Sequence, residues 1–143
     1  MAWSANVLPD SFKSEILIGT HVLGTDALKA ALYDNVDVPA VTDTVYSATN
    51  ELAATGGYTQ NSKAAAVAAT FPKLVSGTAV VDFDDIAWTS ATFNAFGVKI
   101  YNSAKTNKML CELWFNGVKT VSNGTFTIVF PFGDQTTGTI RIA

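Results

Sequence analysis

The sequence predicts an all-β protein, an antiparallel β-sandwich or jelly-roll-like fold of about eight strands with one short N-terminal helix. Two observations carry this prediction. Apolar and polar residues alternate through much of the second half of the chain, which is the period of a strand with one buried face. Turn-forming pairs such as Asn116-Gly117, Asn123-Gly124 and Gly133-Asp134 separate these stretches at the spacing typical of sandwich strands.

The composition agrees with a single folded domain. The chain has 143 residues, of which 48% are hydrophobic and 15% charged. A chain of this length buries roughly 68 to 70% of its unfolded surface, so it needs no disulfide or metal to form a core. We expect a single β-sandwich domain over residues 10–143. Residues 1–9 are expected to form an apolar N-terminal arm that packs against the core or a neighbour.

One helix is predicted at the start of the domain. Asp10 or Ser11 can serve as its N-cap, and Gly19 fits the position after its C-terminus, where glycine readily adopts a left-handed backbone. Three apolar residues at helical spacing would line one side of this helix: Phe12, Ile16 and Leu17.

The first predicted strand runs from Ala27 to Tyr33. Its inward row would be Leu28, Ala30 and Leu32. The segment from Lys63 to Thr70 allows two interpretations. Its alanines favour a helix, whereas the β pattern around it favours a strand, and both alternatives stay open.

The stretch from Ala79 to Tyr101 reads as three β segments in series. Asp84 and Asp85 interrupt the first alternation, and the apolar row resumes at Ile86 and Trp88 on the opposite parity, so a bulge or tight bend is expected at the aspartates. The row before the interruption would be Ala79, Val81 and Phe83. The row that ends the stretch would be Phe96, Val98 and Ile100.

From Lys108 to Phe115 the chain alternates again. The inward row would be Met109, Cys111, Leu113 and Phe115, with Leu110 and Trp114 on the other face beside Glu112. Because Asn-Gly is typical of type I′ hairpins, the pair at 116–117 predicts that residues 118–121 fold back as a brief strand.

Charge and cysteine content exclude several classes of function. The net charge of −3 gives no basic patch for phosphates, so nucleic acid is not expected as a partner. The N-terminus does not resemble a signal peptide, and no stretch is long and apolar enough for a membrane helix. The single cysteine, Cys111, cannot form an internal disulfide.

No catalytic or cofactor motif is recognised, so we expect neither an enzyme nor a bound cofactor. Asp82, Asp84 and Asp85 could supply oxygens to a metal, but successive strand residues face opposite ways, and a solvated bend is the favoured interpretation. His21 is expected to pack or to cap the helix. A nucleophile pair of His21 with Cys111 is disfavoured because the cysteine lies on an apolar row.

Aromatic residues offer one further hypothesis, a sugar-binding groove. Its candidates are Trp88, Trp114 and the four tyrosines, Tyr33, Tyr46, Tyr58 and Tyr101. Their even spread along the chain is more typical of core and interface positions.

Five segments together resemble a family of small tailed-bacteriophage virion structural proteins. They are FKSEILIGTH, ALKAALYDN, TNELAATGGYT, VDFDDIAWTSATFNAFGVKIYN and TFTIVFP. The resemblance runs from Phe12 to Ile142 and implies a β-rich component of the particle. The chain departs from the family at His21 to Leu23 and in the alanine-rich KAAAVAAT segment.

The resemblance and the low charge together predict a capsid decoration or cement protein that bridges capsomers. Its expected partners are the major capsid protein and further copies of itself in a homo-oligomer, and its expected location is the virion, assembled in bacterial cytoplasm. The predicted contact residues are Trp3, Val7, Leu8, Leu110 and Trp114. The alternatives are a tail, connector or head-fibre component of the virion, or a carbohydrate-binding module.

Overall fold

The structure, a computed structural model that describes residues 3–143, consists of two antiparallel β-sheets and one α-helix. The helix, α1, is Asp10–Leu17. The strands are β1 (Leu28–Tyr33), β2 (Lys63–Ala64), β3 (Lys73–Val75), β4 (Thr78–Val81), β5 (Ile86–Asn102), β6 (Lys108–Ile128) and β7 (Ile140–Ile142). A 3-10 turn, Ser103–Lys105, joins β5 to β6. The predicted all-β sandwich with one N-terminal helix is confirmed.

The strand order is β2-β1-β5-β6 in the larger sheet and β3-β4-β7 in the smaller one, with every pairing antiparallel. The main core lies between the two sheets and also holds Phe12 of α1. The predicted inward row of β1 is confirmed, because its alternate residues all reach this core. They are Leu28, Ala30 and Leu32.

A second cluster covers the opposite face of the larger sheet. It consists of Trp3, Ala31, Tyr33, Tyr101 and Met109. Trp3 comes from the N-terminal arm, and the half-buried Tyr46 of the loop after β1 packs against the cluster. The larger sheet is therefore buried on both faces, which explains why every residue of β1 except Lys29 is apolar or aromatic and buried.

The aspartate interruption is confirmed as a break between strands. β4 ends at Val81 and β5 begins at Ile86. The predicted rows on the two sides of the break reach the main core except for Ala79, which is exposed. The rest of the stretch is one long strand with register shifts, including one between Ala95 and Gly97. The prediction for Phe96 is wrong, because this shift turns its side chain toward the second cluster.

The predicted hairpin at Asn116-Gly117 is wrong. β6 continues through the pair, so residues 118–121 do not fold back. Trp114 pairs with Gly97 and Lys119 with Ala95, which leaves residues 115–118 as a bulge against β5. Positive φ angles, 56° at Asn116 and 106° at Gly117, serve a bulge as well as a type I′ turn.

A second bulge places two residues at the start of β6 on the faces of the sheet opposite to those predicted. Ile100 pairs with Cys111 and Tyr101 with Met109, so Leu110 is an extra residue. Leu110 joins Cys111 in the main core and Met109 lies in the second cluster, each on the face opposite to the prediction. Leu113 and Phe115 do pack against the main core, as predicted.

The helix has the predicted position, with Gly19 at φ 77° just after its C-cap. The predicted cap is wrong, because Pro9 occupies the N-cap position and no side chain of the described part of the chain caps the helix. Leu17 is 85% exposed rather than packed. The segment 63–70 contains the short β2 and a bridge from Val67 to Phe83, so its helical alternative is wrong.

Candidate interaction surface

The predicted contact residues do not form one exposed patch. Trp3 is 3% exposed and Leu110 is 0% exposed, so both side chains lie inside this chain and offer no surface to a partner in this conformation. Val7, Leu8 and Trp114 are half-buried. Residues 1 and 2 of the predicted arm lie outside the described residues.

The N-terminal arm is docked along the edge of β6. Val7 and Glu112 exchange two backbone hydrogen bonds of 2.8 and 2.9 Å. The backbone amide of Trp114 also donates to the side-chain oxygen of Asn6 at 2.8 Å. The arm thus acts as a short extra partner of the strand, as an added β-strand would.

Trp3 anchors the arm in a pocket over Gly97. A Cβ atom at Gly97 would lie 2.4 Å from the Trp3 ring, so only glycine leaves room for the indole. The ring also lies beside Tyr33, with centroids 6.4 Å apart. The indole Nε1 is buried without a hydrogen-bond partner among the described residues, which makes the docked state costly for this group.

Gly97→Ala is expected to lower the free energy of unfolding by about 1–3 kcal/mol, because an added methyl group must displace the packed indole. Urea unfolding followed by far-UV circular dichroism would measure the loss, and tryptophan fluorescence would report the displaced Trp3. Gly24→Ala is the matched control, since its Cβ would meet its nearest atom, in Pro72, at an ordinary 3.5 Å. Equal stabilities of the two variants would contradict this account of the pocket.

A buried charge cluster, which the sequence did not predict, lies on the same side of the larger sheet. Lys99 Nζ is 2.8 Å from Asp43 Oδ2, 3.1 Å from Asp37 Oδ2 and 3.5 Å from Glu112 Oε2. The ammonium group also lies 4.9 Å from the ring centre of Tyr33. Lys99 and Glu112 are direct partners across β5 and β6, and the aspartates come from the loop after β1. We call these four residues the Lys99 cluster.

Burial controls the protonation of the Lys99 cluster. It raises the pKa of Glu112 to about 8, although Lys99 partly opposes the shift. Burial likewise raises the pKa of Asp37. Burial alone would lower the pKa of Lys99, but the neighbouring carboxylates outweigh it and the net shift is upward. These shifts favour a charged lysine beside a protonated Glu112.

The Lys99 cluster fixes the loop of residues 34–46, which we call the valine loop. The backbone adds further ties, since Val41 accepts from Asp10 and Thr44 accepts from Met109. At its start, Asp34 Oδ1 accepts from the amide of Val36 at 2.8 Å and closes a tight turn. Four valine side chains of this loop are exposed: Val36, Val38, Val41 and Val45. The loop thus presents apolar groups on a fixed backbone.

Two tyrosines of the predicted sugar groove donate to one carboxylate, and all four take part in hydrogen bonds within the chain. Glu51 accepts hydrogen bonds from Tyr46 at 2.5 Å and from Tyr58 at 2.7 Å. Tyr46 also stacks on Tyr101, with ring centres 4.5 Å apart. The remaining tyrosine, Tyr33, donates to the backbone oxygen of Ser47. These side chains tie the loop after β1 to the larger sheet and do not form an open aromatic groove.

His21 joins the helix to the larger sheet. Its Nε2 lies 2.9 Å from Glu15 Oε2, and its Nδ1 lies 3.0 Å from the side-chain nitrogen of Asn102. Since the amide nitrogen is a donor, Nδ1 accepts and Nε2 carries the proton. The imidazole is thus committed to packing and hydrogen bonding. Cys111 is buried, and burial raises the pKa of its thiol to about 12.

Two of the three aspartates near the β4–β5 break, Asp82 and Asp85, have side-chain hydrogen-bond partners. Asp85 Oδ1 accepts from the Phe130 amide at 2.9 Å, and Asp82 Oδ1 accepts from the Thr139 hydroxyl at 3.3 Å. Within residues 3–143, no group of three or more histidine, cysteine or acidic side chains is placed to hold a metal ion. The same part of the chain contains no helix that is both long and apolar enough to cross a membrane.

Comparisons with protein-family models, with curated proteins and with solved structures gave no match. Apart from the valine loop, the exposed large apolar side chains include Leu17 and Ile18 at the end of α1 and Phe132 near the C-terminus. Separate exposed apolar side chains are common on folded proteins, whereas several of them on one short segment, as in the valine loop, indicate a contact surface.

Proposed function

We propose that this chain is a structural protein of a tailed-bacteriophage particle, and most specifically a capsid decoration or cement protein that bridges capsomers. The observation that carries the proposal is the valine loop, which exposes four apolar side chains on a backbone held by buried charges. The sequence resemblance to small virion structural proteins is the reason for proposing a phage particle as the partner.

The fixed backbone of the valine loop suits binding by surface complementarity. A loop that is ordered before binding loses little conformational entropy when it meets a partner. Asp37 and Asp43 provide this order from inside, so the exposed valines remain available for contact. Val36, 68% exposed at the tip of the first turn, is the residue best placed to enter a pocket of the major capsid protein.

Many copies on one shell would strengthen a modest contact. A stable protein–protein interface buries about 1,200–2,000 Å² in total, and contacts of one oligomer with several capsomers add by avidity. A homo-oligomer of this chain would present several valine loops at once. Decoration of a capsid therefore needs no enzymatic site and no cofactor.

The test is the copy number of the protein in purified virions, measured by quantitative mass spectrometry. We expect hundreds of copies per particle, as a decoration protein on a capsid lattice requires. Copies in small multiples of six or twelve would favour the tail, connector or head-fibre alternative. Absence of stoichiometric copies from the particle would overturn the proposal.

Substitution in the valine loop refines this test. Val36→Ser is expected to reduce the copies that remain on the particle after washing while leaving the fold unchanged, because the side chain is exposed. Val118→Ser is the matched control, since Val118 is an exposed valine on β6, outside the valine loop. Equal retention of the two variants would argue against the valine loop as the contact surface.

A further inference from the structure

The N-terminal arm and its pocket are a complementary pair that two copies of this chain can share. We propose that residues 3–9 exchange between two copies, so that Trp3 of each copy enters the pocket over Gly97 of the other. The occupant is thus a second copy of this chain. The inference concerns the isolated protein and does not depend on a role in a virion.

An exchanged arm would make the contacts that the arm makes in its own chain. Trp3 packs over Gly97, and Val7 pairs with Glu112 through two backbone hydrogen bonds. Both partners lie about 90 residues or more further along the sequence than the arm. An arm from another copy can make the same contacts without any change in the pocket.

The connection between the arm and the domain is an extended segment. Pro9, at φ −58° and ψ 144°, is extended and immediately precedes α1. Proline also favours an extended residue before it, which here is Leu8. The arm therefore leaves the helix as an extended segment. Pro9 is fully buried and Leu8 packs against the main core, so exchange requires both residues to leave these positions and the same residues of the other copy to take their place. Exchange of such a terminal element is a low-cost route to a dimer.

Release of the docked arm would let one buried polar group of the arm form a hydrogen bond with water. Trp3 Nε1 is buried without a hydrogen-bond partner in the described part of the chain, and both carboxyl oxygens of Glu112 lack hydrogen bonds of normal geometry. Water would satisfy the indole N–H once the arm opens. The open state needed for exchange is therefore less costly than it would be for a fully bonded anchor.

A cleft beside the arm gives the second copy a place to pack. It has a volume of about 440 Å³ and lies between Asn6 to Leu8 and the edge strand β7. Apolar groups of Cys111, Leu113 and Ile140 share its wall with polar side chains such as Arg141. Packing of a second copy against this mixed surface would add contacts that two closed monomers lack.

Complementation between two variants tests the exchange directly. Trp3→Ala removes the anchor but keeps the pocket, and Gly97→Leu blocks the pocket but keeps the anchor. Each variant alone is expected to self-associate at least about tenfold more weakly than the wild type, which equals about 1.4 kcal/mol. Mixed after brief exposure to mild denaturant, they should form a heterodimer with one shared arm.

Native mass spectrometry with one variant labelled with ¹⁵N would identify the heterodimer, and analytical ultracentrifugation would give the affinities. A wild-type protein that stays monomeric at millimolar concentration would overturn the proposal. So would a wild-type dimer that Trp3→Ala leaves intact, or a mixture that gives no heterodimer. If Gly97→Leu fails to fold, Gly97→Ala blocks the pocket with a smaller group and gives the same comparison.

Discussion

Replacement of Lys99 by methionine is expected to lower the free energy of unfolding by about 3–5 kcal/mol, because it removes the one cation from a buried group of carboxyls. Methionine keeps the length of the apolar side chain, so the loss reports the missing charge. Asp37 and Asp43 would be left without the ammonium group that holds the valine loop. Urea unfolding at pH 7 would measure the change.

Lys119→Met is the matched control for this substitution. Lys119 is exposed on β6, and replacement of an exposed lysine usually changes stability by no more than about 0.5 kcal/mol. Faster hydrogen exchange in residues 34–46 of the Lys99 variant would show that the valine loop has loosened. Similar stabilities of the two variants would contradict a structural role for the Lys99 cluster.

The pH dependence of the free energy of unfolding is expected to show the titration of the Glu112 carboxyl. Burial raises the pKa of this carboxyl from 4.5 to about 8 in the folded protein. Between these values the folded chain holds a proton that the unfolded chain has released, so stability should fall as the pH rises from about 4.5 to 8. Each unit of pKa difference corresponds to about 1.4 kcal/mol, which gives a contribution of a few kcal/mol.

Glu112→Gln should remove much of this slope, because glutamine resembles the protonated carboxyl and does not titrate. Urea unfolding at several pH values between 5 and 8 would compare it with the wild type and with Asp84→Asn, an exposed control that should keep the slope. Glu15 and Asp26 affect stability in a lower pH range. Their pKa values are lowered in the folded protein, so their contribution to the free energy of unfolding is lost in acid. An unchanged slope in Glu112→Gln would contradict the assignment.

The sequence predicted the fold class because strand alternation and turn residues are local signals. α1, β1 and the break at the aspartates all followed from such signals. The errors arose where one signal serves two structures. Asn116-Gly117 supplies positive φ angles for a hairpin or for a bulge, and the choice depends on the long partner strand β5, which no local pattern reveals. The bulge at Leu110 had the same cause and exchanged the faces of two residues.

The site was harder to predict than the fold because it depends on contacts between distant segments. The sequence pattern of an apolar arm with Trp3 is the same whether the pocket for the arm lies in its own chain or in a neighbouring chain. Two local signals were available. Gly97 interrupts a strand, which is typical of a close approach by another group, and Lys99 and Glu112 place charges within apolar strands. The aspartates that pair with Lys99 gave no such signal.

Because the larger sheet is buried on both faces, its residues tolerate few amino-acid substitutions, whereas exposed segments tolerate many. Most side chains of β1 are fixed by one core or the other, so few of its substitutions leave the interior intact. The exposed valines of residues 34–46 belong to neither core. As long as Asp37 and Asp43 remain, a lineage of such proteins could alter the shape and polarity of this loop, and with it the choice of partner, while the scaffold stayed the same.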